Sequence, residues 1–175
     1  ALEAEKESGS KETMCLFTID EEVALHGSEP ILSGDEVLGI VTVAGNVSLD
    51  KTTHNARALV ELAKRPDVPV YEGCPGPLVH DLVTAEHVHG KSGLDGWDIP
   101  EPTHPLQPQH GVDWIIDTLR NAEDNSITLC TLAPLTNIGM AIAKAPDILP
   151  KIREIVIMGG GFFEGGNITP TGEFN

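Results

Sequence analysis

Val37-Leu-Gly-Ile-Val-Thr-Val43 is a short β-branched run without a polar face. That is the pattern of a strand buried on both sides of a parallel sheet. The next segment has the complementary period. Ala56, Leu59, Val60 and Ala63 fall at i, i+3, i+4 and i+7, which predicts a helix over about 52–64, ended by Pro66. Val68–Tyr71 reads as a second strand. Val112, Ile115, Ile116 and Leu119 repeat the helical spacing, and Asn121–Ser126 makes a turn. Ile127–Leu132 is a third strand, Leu135, Ile138, Gly139 and Ile142 mark a further helix that stops near Pro146, and Ile152–Met158 is a fourth strand. Strands alternating with amphipathic helices predict an α/β fold with a parallel, Rossmann-like sheet flanked by helices. A long stretch rich in Gly, Pro and His over about 73–110 reads as a loop, and loops of that length are usually functional or mobile.

The 175 residues suit one domain, and 40% hydrophobic with 22% charged residues is ordinary for a globular protein. No apolar run is long enough to cross a bilayer and no secretory leader is visible, so the cytoplasm is the expected compartment. The formal net charge is −16. Residues 1–36 hold ten acidic side chains against Lys6 and Lys11, which is half of that total. Such a surface repels polyphosphate, so nucleic acid and membrane are not expected partners. Residues 1–13 are polar and read as a disordered acidic tail, with a single domain over 14–175. The chain begins with Ala1 and stops at Asn175, which reads as a fragment or an atypical gene product. Cys15, Cys74 and Cys130 are odd in number and widely spaced, so buried thiols are expected rather than disulfides or a zinc site.

Ligands of open parallel sheets bind beyond the carboxyl ends of the strands. The candidate site residues are therefore those just past each strand. Ala44-Gly45-Asn46 comes after the first, Ala133-Pro134-Leu135-Thr136-Asn137 after the third, and Gly159–Gly161, then Asn167, Glu173 and Asn175, after the fourth. Glu173 and Asn175 are two apart, so in an extended segment both project to one side. A carboxylate beside a carboxamide accepts from and donates to vicinal hydroxyls, as a ribose diol requires. Plainer readings stand beside these. Asn46 also fits a cap on the loop after it, and Met158 fits a core filler. His80, His87 and His89 imitate a metal cluster, yet no cysteine or carboxylate completes a tetrahedral set. The three glycines lack the spacing of a phosphate cradle.

Seven blocks in register carry a resemblance. Val43-Ala-Gly-Asn46 followed by Lys51-Thr-Thr-His-Asn55, then Val68-Pro-Val-Tyr-Glu-Gly73, His89-Gly-Lys-Ser-Gly-Leu-Asp-Gly96, Leu132-Ala-Pro-Leu-Thr-Asn137, Ile157-Met-Gly-Gly-Gly161, Gly166-Asn-Ile-Thr-Pro170 and Glu173-Phe-Asn175 resemble inosine–uridine-preferring nucleoside hydrolases. The resemblance covers residues 37–175. It implies hydrolysis of the N-glycosidic bond of ribonucleosides to free base and ribose, with bound calcium. It also implies that Asn46 lies near the sugar, that the Leu132 main-chain oxygen reaches calcium, and that Met158 packs on the ribose. Asn167, Glu173 and Asn175 would bind its hydroxyls, with His89 beside the pocket. A homo-oligomer is implied as well.

Part of the family pattern is missing. Its opening Asp-x-Asp-x-x-x-Asp-Asp signature supplies the water-activating base and most metal ligands. Here the corresponding place reads Leu16-Phe-Thr-Ile-Asp-Glu-Glu-Val-Ala-Leu-His26. Asp20 and Glu22 copy the opening spacing, but Leu25 and His26 stand where further acids belong. The family's later His and Asp are also absent. The catalytic residues are therefore unassigned, the calcium site is expected to be incomplete, and this chain is expected to be inactive alone. A non-catalytic relative that binds ribose or nucleosides is the alternative.

Overall fold

The computed structural model describes residues 12–16 as backbone, then 36–96, 100–161, 163, 165–166 and 168–172. Six strands form one sheet: β1 (Glu12–Leu16), β2 (Glu36–Thr42), β3 (Val70–Glu72), β4 (Leu106–Gln107), β5 (Ile127–Thr131) and β6 (Ile152–Ile157). The helices are α1 (Leu49–Leu62), α2 (Glu86–His89), α3 (Gly111–Asn121) and α4 (Thr136–Lys144), with a 3-10 helix at Pro146–Lys151. All strand pairs are parallel, in the order β4-β3-β2-β1-β5-β6. The chain therefore steps outward from β1 to β4, then returns to lay β5 on the other side of β1. That reversal puts the topological switch point between β1 and β5.

β2 shows why the sheet needs two layers of helix. Val41 and Val43 belong to a core with α3, α4 and the 3-10 helix, while Val37 and Ile40 belong to a second core with Ala56 and Val60 of α1. Successive residues point to opposite faces, and the register shift between the Thr13–Val37 and Cys15–Ile40 pairs brings Val37 and Ile40 to the same side, so a run apolar throughout is buried throughout. Gly39 lets one helix come close, since a Cβ there would lie 2.6 Å from the Trp114 ring, which in turn stacks on Tyr71 at 4.2 Å between centroids. Among the described residues, no helix is long and apolar enough to cross a membrane.

Two expectations need correction. Four strands were legible, whereas the described residues hold six. β1 begins at Glu12, so Glu12 and Thr13 belong to the sheet and not to a tail over 1–13; residues 1–11 lie outside the described set. β1 is short and starts with polar residues, and its stability comes from two neighbours, β2 and β5, that local sequence does not reveal. The span 73–110 is likewise not one loop. It holds α2 and the two-residue β4, and it is tied down where Asn55 Nδ2 donates to the Ser92 carbonyl (2.9 Å) and Lys51 pairs with Glu86 (2.7 Å).

Candidate functional site

The carboxyl tips of β2, β3, β5 and β6 lie at one end of the parallel sheet, and the chain leaving each tip is held by main-chain bonds to its neighbours. Ala44 N donates to the Cys74 carbonyl (3.1 Å), which ties the exits of β2 and β3. Met158 N donates to the Thr131 carbonyl (2.8 Å), which seats Met158 beside the exit of β5. Leu16 of β1 pairs with Thr131, so β1 ends at the level where Leu132 begins. The switch point is thus flanked by Leu132 on the β5 side.

Asn46 is buried at 6% exposure, and its carbonyl accepts from Ala85 N at 2.8 Å. Ala85 caps α2, whose last residue is the half-buried His89, so Asn46 and His89 are joined through one short anchored segment. Leu132 comes directly after the last paired residue of β5, and its side chain packs against the core on the α1 side. That direction leaves the main chain, not the side chain, to serve the site. Met158 is half-buried at the tip of β6. Asn46, His89, Leu132 and Met158 therefore share one end of the sheet. Asn167, Glu173 and Asn175 lie outside the described residues, as do Asp20 and Glu22.

Asn137 is the residue whose role the sequence did not show. It sits in the first turn of α4, 2% exposed, and bridges two strand exits. Its Nδ2 donates to the Thr42 carbonyl (2.9 Å), and its Oδ1 accepts from Cys74 N (2.8 Å). Both amide functions are used on the backbone, so Asn137 holds the walls of the site rather than a ligand. Gly73 makes room for it, because a Cβ there would overlap Asn137 Oδ1 and the Thr42 carbonyl. The Thr42 and Thr53 hydroxyls bond at 2.8 Å and lock β2 to α1. The pairing of an asparagine after Leu-Thr with a glycine after Tyr-Glu was the only available signal.

Asn46 and Asn137 are uncharged, and burial pushes the Cys74 thiol up, so that it stays protonated and is no nucleophile. Asp95, on the loop after α2, is held below the usual carboxylate range, chiefly by the Ser92 hydroxyl, with the Ser92 backbone N–H adding to it. Calcium needs several oxygen ligands, usually with carboxylates among them. Among the described residues, no three His, Cys, Asp or Glu side chains come together to hold a metal. The described donors alone do not fit the ion.

A parallel sheet with helices between its strands, and buried amides at its strand exits, defines the chain as an α/β protein. The family model described as inosine-uridine preferring nucleoside hydrolase matches residues 23–175, and the chain belongs to that family. An uncharacterized protein of Schizosaccharomyces pombe is 52% identical over 140 residues, 80% of this chain and 45% of its own length. The pyrimidine-specific ribonucleoside hydrolase RihB of Escherichia coli is 46% identical over 140 residues, 80% of this chain and 44% of its own. The chain thus spans less than half the length of these two relatives. Among solved structures, the purine-preferring ribonucleoside hydrolase from Gardnerella vaginalis superposes with a TM-score of 0.86 at 29% identity, covering 94% of this chain and 54% of that one. A plant nucleoside hydrolase gives 0.87 at 29% identity, covering 95% and 53%.

Proposed function

We propose that this chain forms the ribose-holding half of a ribonucleoside hydrolase, and that the whole protein splits the N-glycosidic bond to give free base and ribose. The observation that carries the reading is that Asn46, Leu132 and Met158 follow the carboxyl tips of β2, β5 and β6, at one end of the sheet and on the two sides of β1. The relatives' names include both pyrimidine-specific and purine-preferring enzymes, and ribose is what their substrates have in common. In this reading Asn46, Asn167, Glu173 and Asn175 bond the sugar hydroxyls, Met158 packs on the ring, and His89 flanks the pocket. Hydroxyls both donate and accept, so amides and a carboxylate can satisfy a diol without a net change of charge.

Calcium belongs to the same proposal, with the Leu132 carbonyl as one ligand and acidic ligands from outside the described residues. The reading also carries a cytoplasmic location and a homo-oligomeric state, to be checked by fractionation and light scattering. Titration calorimetry of this chain with ribose tests the core of it. Heat of binding that falls about 3–10-fold in affinity for Asn46→Ala, the loss of one hydrogen bond, is expected. Absence of ribose binding by the whole protein, calcium present, would remove the proposal. Binding by the whole protein without release of base from inosine or uridine would select the non-catalytic alternative.

A further inference from the structure

α2 carries His89 and is one turn long, Glu86–His89. A helix that short does not hold itself, since isolated helices below about 12–15 residues are marginal in water. Its place is set by contacts at both ends. At the leading end the Asn46 carbonyl accepts from Ala85 N, and Lys51 of α1 pairs with Glu86. At the trailing end the chain folds back over His89–Asp95. Gly90 N donates to the Glu86 carbonyl (2.9 Å) and Gly93 N to the Gly90 carbonyl (3.2 Å). Both glycines have left-handed backbone, φ +79° and +80°, which the reversal requires.

The Asp95 side chain shuts this turn. Asp95 N approaches the His89 carbonyl only to 3.5 Å, the far limit of a hydrogen bond. The carboxylate does more, since its Oδ1 accepts from Ser92 Oγ at 2.9 Å and from Ser92 N at 3.4 Å. Ser92 Oγ accepts in turn from Leu94 N (3.1 Å). The carboxyl lies against Gly90, the residue directly after His89, and a Cβ on Gly90 would overlap it.

The closed turn is fastened to the surroundings of Asn46. Asn55 Nδ2 holds the Ser92 carbonyl, and Leu94 is buried in the core with Ala56 and Val60 of α1. Gly93 sits so close to Val47 that a Cβ would come within 3.0 Å of its Cγ2. Val47 is fully buried and directly follows Asn46. Asn46 and His89 are thus joined by two routes, one through Ala85 and α2, the other through Val47 and the turn. A segment pinned at two points cannot swing about either.

We propose that Asp95 is a positioning residue of the ribose site: by closing the His89–Asp95 turn it fixes His89 against Asn46, so that both meet one sugar. That a sugar lies there rests on the function proposed above, whereas the hold of Asp95 on His89 rests on the turn alone. Asp95 and Ser92 are exposed, so either can be altered without opening the core.

The test is NMR of the 175-residue chain, first without ligand and then with ribose. Asp95→Ala is expected to move the His89 imidazole signals and to speed exchange of the His89 and Gly90 amides about tenfold, with His110 at the start of α3 and the circular dichroism melt in place. Ser92→Ala, which removes the hydroxyl from the other side of the bond, should act in the same direction. Asp95→Asn keeps an oxygen acceptor for Ser92 and should restore the wild-type His89 signals. With ribose, Asp95→Ala should weaken binding about 3–10-fold in the wild-type background and add no further loss to His89→Ala, as expected of a residue that acts through another. His89 signals that do not move in Asp95→Ala, or an equal loss of ribose affinity with and without His89, overturn the proposal. If ribose does not bind at all, the sugar reading falls, and the His89 signals still decide whether Asp95 sets that residue.

Discussion

Asn137 and Gly73 act as one unit, and that has a measurable consequence. The Asn137 amide spans 95 residues of sequence to the Thr42 carbonyl and 63 to Cys74 N, both buried. Removing the amide strands a donor and an acceptor away from water, each at about 1–3 kcal/mol. Asn137→Ala is therefore expected to lower the urea-unfolding free energy by about 2–5 kcal/mol. Gly73→Ala should cost a similar amount, because its Cβ displaces the same amide. The double variant should cost clearly less than the two losses added together, as contacting residues do not add. Full additivity would show that the two positions are independent. The same pair marks the limit of what residues alone reveal. Asn46 was legible because it directly follows a strand, and strand exits are where ligands bind. Asn137 was not, because nothing in Leu-Thr-Asn says which distant backbone groups the amide will reach.

Elements were legible in proportion to how much of their stability is local. β2, β3, β5 and β6 carry β-branched runs, and α1, α3 and α4 carry a clear helical period. β4 has two residues and no period to read, and β1 is created by strands on both sides of it. Segment 102–104, just before β4, is held by side chains of α1 rather than by its own pattern. Arg57 donates to the His104 and Pro102 carbonyls at 2.6 and 3.1 Å, and Glu61 accepts from Thr103 Oγ1 at 2.8 Å and from His104 N. The Thr103 hydroxyl, first, and the His104 amide hold the Glu61 carboxyl below its ordinary value of 4.5. The unfolded chain therefore takes up this proton more readily than the folded one. The stabilisation is fully present above pH 4.5 and is lost as pH falls through the lowered folded value. Glu61→Gln keeps an acceptor and loses the charge. Its melting temperature should lie slightly below that of the wild type at neutral pH and converge with it as pH falls through the lowered folded value. A gap that stays constant with pH would rule out the charge as the source.

At the scale of the molecule, the chain has the scaffold of a hydrolase and, among the described residues, no cluster of metal-binding side chains. Scaffold and chemistry separate because they draw on different interactions. The scaffold needs apolar burial and a few buried amides, all of which residues 36–158 supply. Cleaving an N-glycosidic bond needs developing positive charge on the sugar to be met by carboxylates, and a water to be activated. Neutral amides can grip hydroxyls in the ground state, yet they do little more for the transition state, and uniform binding does not accelerate the bond-breaking step. The 175-residue chain alone is therefore expected to bind ribose without releasing base from inosine or uridine above background, with or without calcium. The assay is chromatographic detection of free hypoxanthine or uracil over hours at high protein concentration. Calcium-dependent release by this chain would mean that Asp20, Glu22 or their neighbours assemble a working centre with Leu132, and the division between scaffold and chemistry would then fail.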